Sequence, residues 1–226
     1  MVAEQFLKIQ NMVTAACERA GRDTSEVTLI AVSKTKPVEM LSEAYEAGAR
    51  DFGENKVQEI QAKYPQLPED IRWHMIGHLQ TNKVRQVVGK ACLFHSVDSV
   101  RLAQEINKES AKQGIVTEIL LEVNVAEEES KFGFSLNETE AALREISQLP
   151  NVKVRGLMTI APFVDEPEDN RQVFRELYEF FIDMKSKNID NVTMNTLSMG
   201  MTGDFEVAIE EGATMVRVGT GIFGAR

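Results

Sequence analysis

The chain has 226 residues, 43% of them hydrophobic and 27% charged, the proportions of an ordinary globular protein in which one α/β domain takes up the whole length. A net charge of −10 excludes a basic track for a phosphate backbone, so nucleic acid is not an expected partner. Two distant cysteines, Cys17 and Cys92, lie in no metal-spaced cluster, and no apolar run approaches the roughly 18 residues of a membrane span, which predicts a cytoplasmic, metal-free monomer away from membranes.

Val2, Phe6, Ile9, Val13 and Ala16 recur at three- and four-residue spacing and predict an amphipathic helix over 2–20 that stops at Gly21. The run Val27-Thr28-Leu29-Ile30-Ala31-Val32-Ser33 is β-branched and almost wholly apolar, as a parallel strand covered on both faces must be. From there the pattern alternates: helix 37–48, strand 50–53, helix 56–63 with a stop at Pro65, strand 72–76, helix 81–88 and strand 93–97. The second half continues with helix 99–112, strand 118–124, helix 138–148, strand 153–159, helix 168–187, strand 196–198, helix 204–211 and strand 215–218. Strands separated by helices call for a parallel sheet, and eight such units predict closure into a (β/α)8 TIM barrel, one domain over 1–226 with an extra N-terminal helix. No flexible linker interrupts the series, and the acidic run Asp165-Glu166-Pro167-Glu168-Asp169 reads as a solvated loop and helix start.

In such a barrel the chemistry sits at the C-terminal ends of the strands. The first strand ends in Ser33-Lys34-Thr35-Lys36-Pro37, placing a lysine at the mouth. Desolvation there would depress the Lys34 amine toward the neutral form that attacks an aldehyde and forms a Schiff base. The plainer reading is a pair of lysines snorkelling at a strand end. The seventh strand leads into Ser198-Met199-Gly200-Met201-Thr202-Gly203-Asp204 and the eighth into Val218-Gly219-Thr220-Gly221. Glycines admit close approach of backbone N–H groups to an anion, and the loops after strands seven and eight are the recurring phosphate site of this fold, although either loop alone could be turn chemistry. Alternation points Arg217 to the same face as Gly219. Its guanidinium only donates, so a pyridine nitrogen opposite it would have to accept and stay unprotonated; an ion pair with Glu122 or Glu206 is the other possibility.

Asn55, the stretch from His74 to Lys83, Asn124 and Met158 also fall at strand ends and are expected to line the mouth. Neither His74 nor His78 has a serine, cysteine or acidic partner at triad or metal spacing, and His95 sits within a strand, which predicts structural hydrogen bonding for all three. Lys131 lies on the rim after strand five, either as a transient second amine or as a lysine solvated on the 127–130 loop.

The ordered motifs Ala31-Val32-Ser33-Lys34-Thr35-Lys36-Pro37, Phe52-Gly53-Glu54-Asn55, His74 to Lys83, Ser130-Lys131-Phe132-Gly133-Phe134, Arg155-Gly156-Leu157-Met158, Leu197 to Met201 and Met215 to Gly224 resemble those of the pyridoxal-phosphate homeostasis proteins nearly end to end. The barrel of that family looks like the N-terminal domain of alanine racemase. The resemblance implies a fold-type III protein carrying pyridoxal 5'-phosphate (PLP) covalently on Lys34, with Ser198, Gly200, Gly219 and Thr220 on the phosphate and Arg217 facing the ring nitrogen. Two departures stand out. His78 occupies a position where the family usually has another residue, and the chain stops at Arg226, where many relatives carry a short tail. The second predicts no closing helix after strand eight, with helix 2–20 covering that part of the barrel instead.

Alanine racemases draw a second base, a tyrosine, from an added C-terminal domain. Here Tyr45, Tyr64 and Tyr178 all fall in predicted outer helices. The expectation is therefore a PLP carrier and homeostasis factor with no catalytic residue, handing its cofactor to transiently bound apo-enzymes. The alternatives are a small PLP-dependent racemase or lyase with Lys34 as single base, or a phosphate-ester barrel enzyme using Lys34 on its substrate.

Overall fold

The repeat read from the sequence closes on itself. A computed structural model describes residues 1–128 and 131–225, and in it eight parallel strands pair in chain order around a closed barrel. They are β1 (Thr28–Val32), β2 (Asp51–Glu54), β3 (Arg72–Met75), β4 (Ala91–Val97), β5 (Thr117–Glu122), β6 (Val152–Met158), β7 (Val192–Met201) and β8 (Met215–Val218). The seam is the pairing of β8 with β1, from Thr28 opposite Met215 to Ala31 opposite Val218. The helices are α1 (Val2–Arg19), α2 (Val38–Glu46), α3 (Val57–Lys63), α4 (Val100–Gln113), α5 (Leu136–Ile146), α6 (Arg171–Ser186), α7 (Phe205–Glu210) and α8 (Thr220–Phe223). Among the described residues no helix is long and apolar enough to cross a membrane.

Local chemistry sets the helix ends. Ser99 caps α4 by accepting from the Leu102 N–H, and Gly114 ends that helix in the left-handed region at φ 66°. Ser135 and Glu138 make a capping box at the start of α5. The apolar stripe of α1 is buried as its spacing requires, and α1 lies against α7 and α8. Arg19 fastens it by ion pairs to Glu206 and Glu210 at 2.7 and 3.1 Å.

Three elements differ from the expectation. Residues 81–88 form a 3-10 segment over Thr81–Gln86; in that tighter coil positions i and i+3 eclipse, which turns Val84 and Val87 together into the core, both fully buried. Strand β7 is ten residues long where three were expected, because its backbone pairs with β6 from Val192 onward although Thr193 and Asn195 interrupt the apolar run. A closing turn, α8, does follow β8, and α1 covers it: a Cβ on Gly221 would lie 3.1 Å from Ile9 Cδ1.

Most of the core lies between the strands and the helix ring, centred on Phe52, Trp73, Phe94, Phe174 and Leu102. Inside the barrel a small apolar cluster of Leu93, Leu120 and Met158, with Met215 against it, is joined by an unusual set of buried polar groups: His74, His95, Ser198 and Arg217.

Gly156 marks where β6 and β7 come closest: its φ is +153° and an added Cβ would sit 1.7 Å from the Thr196 carbonyl oxygen. Gly156→Ala is expected to lower stability by more than about 4 kcal/mol in urea unfolding, against less than about 0.5 kcal/mol for Gly203→Ala, whose Cβ meets nothing within 4 Å.

Candidate functional site

Beyond Val32 the chain leaves β1 in a turn over Ser33 to Lys36, closed by the Lys36 N–H donating to the Ser33 carbonyl at 3.1 Å. Lys34 stands in this turn, half-buried. Thr35 follows at φ 65°, a left-handed conformation that costs a β-branched residue about 1–3 kcal/mol. What holds it is Glu59 of α3, whose Oε1 accepts from the Thr35 N–H at 2.5 Å. Below the turn the Ser33 hydroxyl donates to Glu54 Oε1 at 2.6 Å, and Lys63 Nζ donates to both Glu54 Oε1 at 2.7 Å and the Ser33 carbonyl at 2.9 Å. Burial pushes the Glu54 carboxyl up to about 7 even though Lys63 and Ser33 pull it down. The two lysines of the motif part company here: Lys36 Nζ donates to the carbonyls of Gly224 and Ala225 at 3.1 and 2.8 Å and ties down the chain after α8.

The two glycine loops meet next to this turn. Gly219 packs so that a Cβ on it would touch Val32 Cβ at 3.4 Å, which sets the end of β8 beside the end of β1. The Gly219 and Gly221 N–H groups converge on Thr202 Oγ1 at 3.2 and 3.5 Å, gathering a hydroxyl and backbone donors at the start of α8 beside Thr220. Thr202 is the residue that sequence reasoning passed over, although its hydroxyl is the second of the two in the Ser198-to-Asp204 motif. Ser198, expected at a strand end, lies inside β7, which runs on to Met201, and its hydroxyl is buried in the barrel. Gly200 at φ 88° serves packing, because a Cβ there would lie 2.5 Å from Ala208 Cβ and 2.9 Å from Phe205 Cα in α7.

Arg217 points into the barrel at 4% exposure. Its Nη1 donates to Ser198 Oγ at 2.6 Å and its Nη2 to the Thr159 carbonyl at 2.8 Å. The alternative of a carboxylate partner is corrected: Glu206 is on the outside with Arg19, and no ion pair joins Arg217 to Glu122 among the described residues. Glu122 is nevertheless close enough to be felt. Burial raises its carboxyl to about 7, Asp98 adds to the rise and Arg217 opposes it. Arg217 is itself drawn down to about 10 by burial, against the pull of Glu122 and Asp204. The histidines take part in hydrogen bonds, as expected, and two of them find acidic partners far away in the chain. His74 Nε2 lies 3.0 Å from Asp51 Oδ1, and His78 Nδ1 lies 2.8 Å from Asp98 Oδ2.

The remaining expected mouth residues divide. Asn55 is half-buried, with its carbonyl so near Gly77 that a Cβ there would approach to 2.4 Å. Met158 is closed inside the barrel at 0% exposure with Leu93 and Leu120, below the open surface. Asn124 clasps Glu128 through two hydrogen bonds, and Lys131 is no free rim lysine: it bonds Glu128 Oε1 at 2.5 Å and the Ile160 carbonyl at 3.1 Å. His78 stacks on Phe132, centroids 3.9 Å apart, linking the loops after β3 and β5. Glu129 and Ser130, the latter in one of the quoted motifs, lie outside the described residues. Among the described residues no group of His, Cys, Asp and Glu is arranged to hold a metal ion.

The raised Glu122 has a thermodynamic sign. A carboxyl at about 7 when folded and 4.5 when unfolded favours the fold below 4.5, and that advantage is lost as pH rises through 7. Glu122→Gln should therefore leave stability little changed at pH 4 and raise it above pH 7, by up to about 3 kcal/mol, in urea titrations at the two pH values.

Comparison with known proteins places this geometry. The model of the alanine racemase N-terminal domain matches residues 9–226. The pyridoxal phosphate homeostasis protein of Aquifex aeolicus (strain VF5) is 47% identical over 99% of this chain and 97% of its own length, and that of Escherichia coli (strain K12) is 38% identical over 100% and 97%. The solved structure of PipY from Synechococcus elongatus PCC7942 with PLP bound superposes with a TM-score of 0.85 at 36% identity, covering 99% of this chain and 100% of that one. The chain belongs to the pyridoxal phosphate homeostasis protein family, built on the barrel of the alanine racemase N-terminal domain.

Proposed function

We propose that this chain, acting as one domain over residues 1–226, binds PLP covalently on Lys34 and serves PLP homeostasis as a carrier. The observation that carries the reading is the meeting of three donor sets at one end of the barrel. Lys34 stands on a strained, braced turn, the Gly219 and Gly221 N–H groups gather with Thr202, and Arg217 is buried between Ser198 and the Thr159 carbonyl. When bound, PLP supplies an aldehyde that condenses with an amine and a ring that can withdraw electrons. The chain offers that group an amine, an anion cradle and a cation, so the residues present fit it.

In this reading Lys34 holds the aldehyde carbon, while Gly219, Thr220 and Thr202 take the phosphate. Arg217 meets the ring, with Ser198 steadying Arg217 and Gly200 shaping the loop behind it. Asn55 and Met158 bound the pocket. Because the Arg217 guanidinium donates only, a ring nitrogen held opposite it would have to accept and stay unprotonated, which would weaken electron withdrawal and favour holding over turnover. The positions of the tyrosines support the same reading. Tyr45 hydrogen-bonds Asp70 from α2, Tyr64 follows α3, and Tyr178 of α6 packs on Gly212, so none stands at the mouth as a second base. Cytoplasmic apo-enzymes that need PLP are the recipients in this proposal, served by a monomer.

Lys34→Ala is expected to abolish the yellow chromophore and the borohydride-reduced adduct that peptide mass spectrometry would otherwise find on Lys34; a wild-type protein left colourless and unmodified by PLP would overturn the reading. Thr202→Val, which removes the hydroxyl and keeps the shape, should weaken PLP binding about tenfold or more by equilibrium dialysis. The wild type should exchange no α-proton of any amino acid into deuterated water, and rapid exchange would turn the assignment toward a racemase.

A further inference from the structure

Cofactor binding as proposed leaves the two interior histidines without a task, yet they form the middle of an unbroken chain across the barrel. At its N-terminal end Arg72 pairs with Asp51 through two hydrogen bonds. Asp51 Oδ1 lies 3.0 Å from His74 Nε2, His74 Nδ1 lies 2.9 Å from His95 Nε2, and His95 Nδ1 lies 2.9 Å from Ser198 Oγ, on which Arg217 Nη1 donates at 2.6 Å. Five strands contribute, β2, β3, β4, β7 and β8. The inner members are sealed, with His74 at 2%, His95 at 0% and Ser198 at 0% exposure, whereas the Arg72 side chain is 58% exposed and Cys92, beside His74 Nε2 at 3.8 Å, is also at the surface.

Two proton arrangements fit these heavy atoms. With a neutral histidine pair every link carries one hydrogen in one direction: Arg217 donates to Ser198, Ser198 to His95, His95 through Nε2 to His74, and His74 through Nε2 to Asp51. With one more proton His74 donates from both nitrogens, His95 must accept at Nε2 and carry its hydrogen on Nδ1, and Ser198 then accepts from His95 and Arg217 together. The Ser198 proton is turned out of the chain. A hydroxyl that donates onward is the better acceptor, so Arg217 is held more firmly in the first arrangement than in the second.

We propose that this chain couples protonation of the histidine pair to the hold on Arg217, making His74, His95 and Ser198 positioning residues for the cation that faces the cofactor ring. The inference rests on the PLP reading given above. The surrounding charges set where the change falls. Burial works against the His74 cation, but Asp51 and the Cys92 thiol outweigh it and lift His74 to about 9. His95 is pushed well below its ordinary value by burial, with His74 and Arg217 both adding to the shift. Asp51 is kept ionised by His74 and Arg72 in spite of its burial, and Arg217 faces Glu122 and Asp204. The extra proton therefore resides on His74 at neutral pH and leaves on the alkaline side.

The chain has three histidines, and His78 is the exposed one, so imidazole nitrogen NMR of the PLP-free protein reads the pair directly. The expected spectrum shows His74 protonated on both nitrogens up to about pH 9 and His95 neutral with its hydrogen on Nδ1, moving to Nε2 as His74 titrates. A His95 tautomer that stays the same through that titration overturns the proposal. In the PLP-loaded protein the absorbance should change with an inflection at the same pH, shifted down by at least about one unit in Asp51→Asn, lost in His95→Gln and kept in Glu122→Gln. A yellow wild type with a flat pH profile also overturns it, whereas a wild type that takes up no PLP defeats the functional reading instead. Should Asp51→Asn fail to fold, the two wild-type titrations still decide.

Discussion

A guanidinium cannot shed its charge at any ordinary pH, so a protein that buries one inside a barrel must build the surroundings to suit it. Arg217 is that constraint here. Its two short hydrogen bonds reach Ser198 inside β7 and the Thr159 carbonyl just after β6, joining three neighbouring strands. Interiors of such barrels are ordinarily filled with branched apolar side chains. Here a small apolar cluster of Leu93, Leu120, Met158 and Met215 shares the barrel with the buried polar groups His74, His95, Ser198 and Glu122.

Around that fixed cation the paired features of the motifs divide their work. Of two hydroxyls in one motif, Ser198 is turned inward onto Arg217 from β7, and Thr202, just past the strand, accepts from the Gly219 and Gly221 N–H groups. Of two lysines in one turn, Lys36 secures the segment after α8, and Lys34 is the one to which the proposal assigns the cofactor. The turn itself is held under strain at Thr35 by Glu59, and beneath it Lys63 and Glu54 form a buried pair that fastens Ser33. For the proposed role of Lys34 such bracing matters, because a loosely held lysine would spend its time in water.

Membership in the pyridoxal phosphate homeostasis family and the arrangement of the mouth point the same way. The features that would turn a PLP barrel into a racemase are a second base over the open face and a protonated ring. The tyrosines of this chain belong to the outer helices, and the group opposite the ring in the proposed pose is a donor that favours an unprotonated nitrogen. In the proposed reading that combination favours retention of the cofactor over turnover.

The barrel is legible in the chain alone, since short continuous apolar runs such as 27–33 alternate with period-3.6 stripes and each local signal agrees with its neighbours. The sequence also located Lys34, Arg217 and the two glycine loops, because a charged or conformationally special residue at the end of a buried strand has no packing reason to be there. Tertiary structure alone decided how those residues pair. The partners of His74, His78 and His95 are Asp51, Asp98 and Ser198, which lie 20 residues or more away in the chain and become neighbours only when strands close into a cylinder. The same holds for the choice of Thr202 over Ser198 beside Gly219, which depends on how far β7 extends before it turns, a matter of pairing with β8 and not of its own composition. Hydrophobic periodicity is written along the chain, whereas hydrogen bonds across a barrel depend on register and closure, which no local window of residues contains.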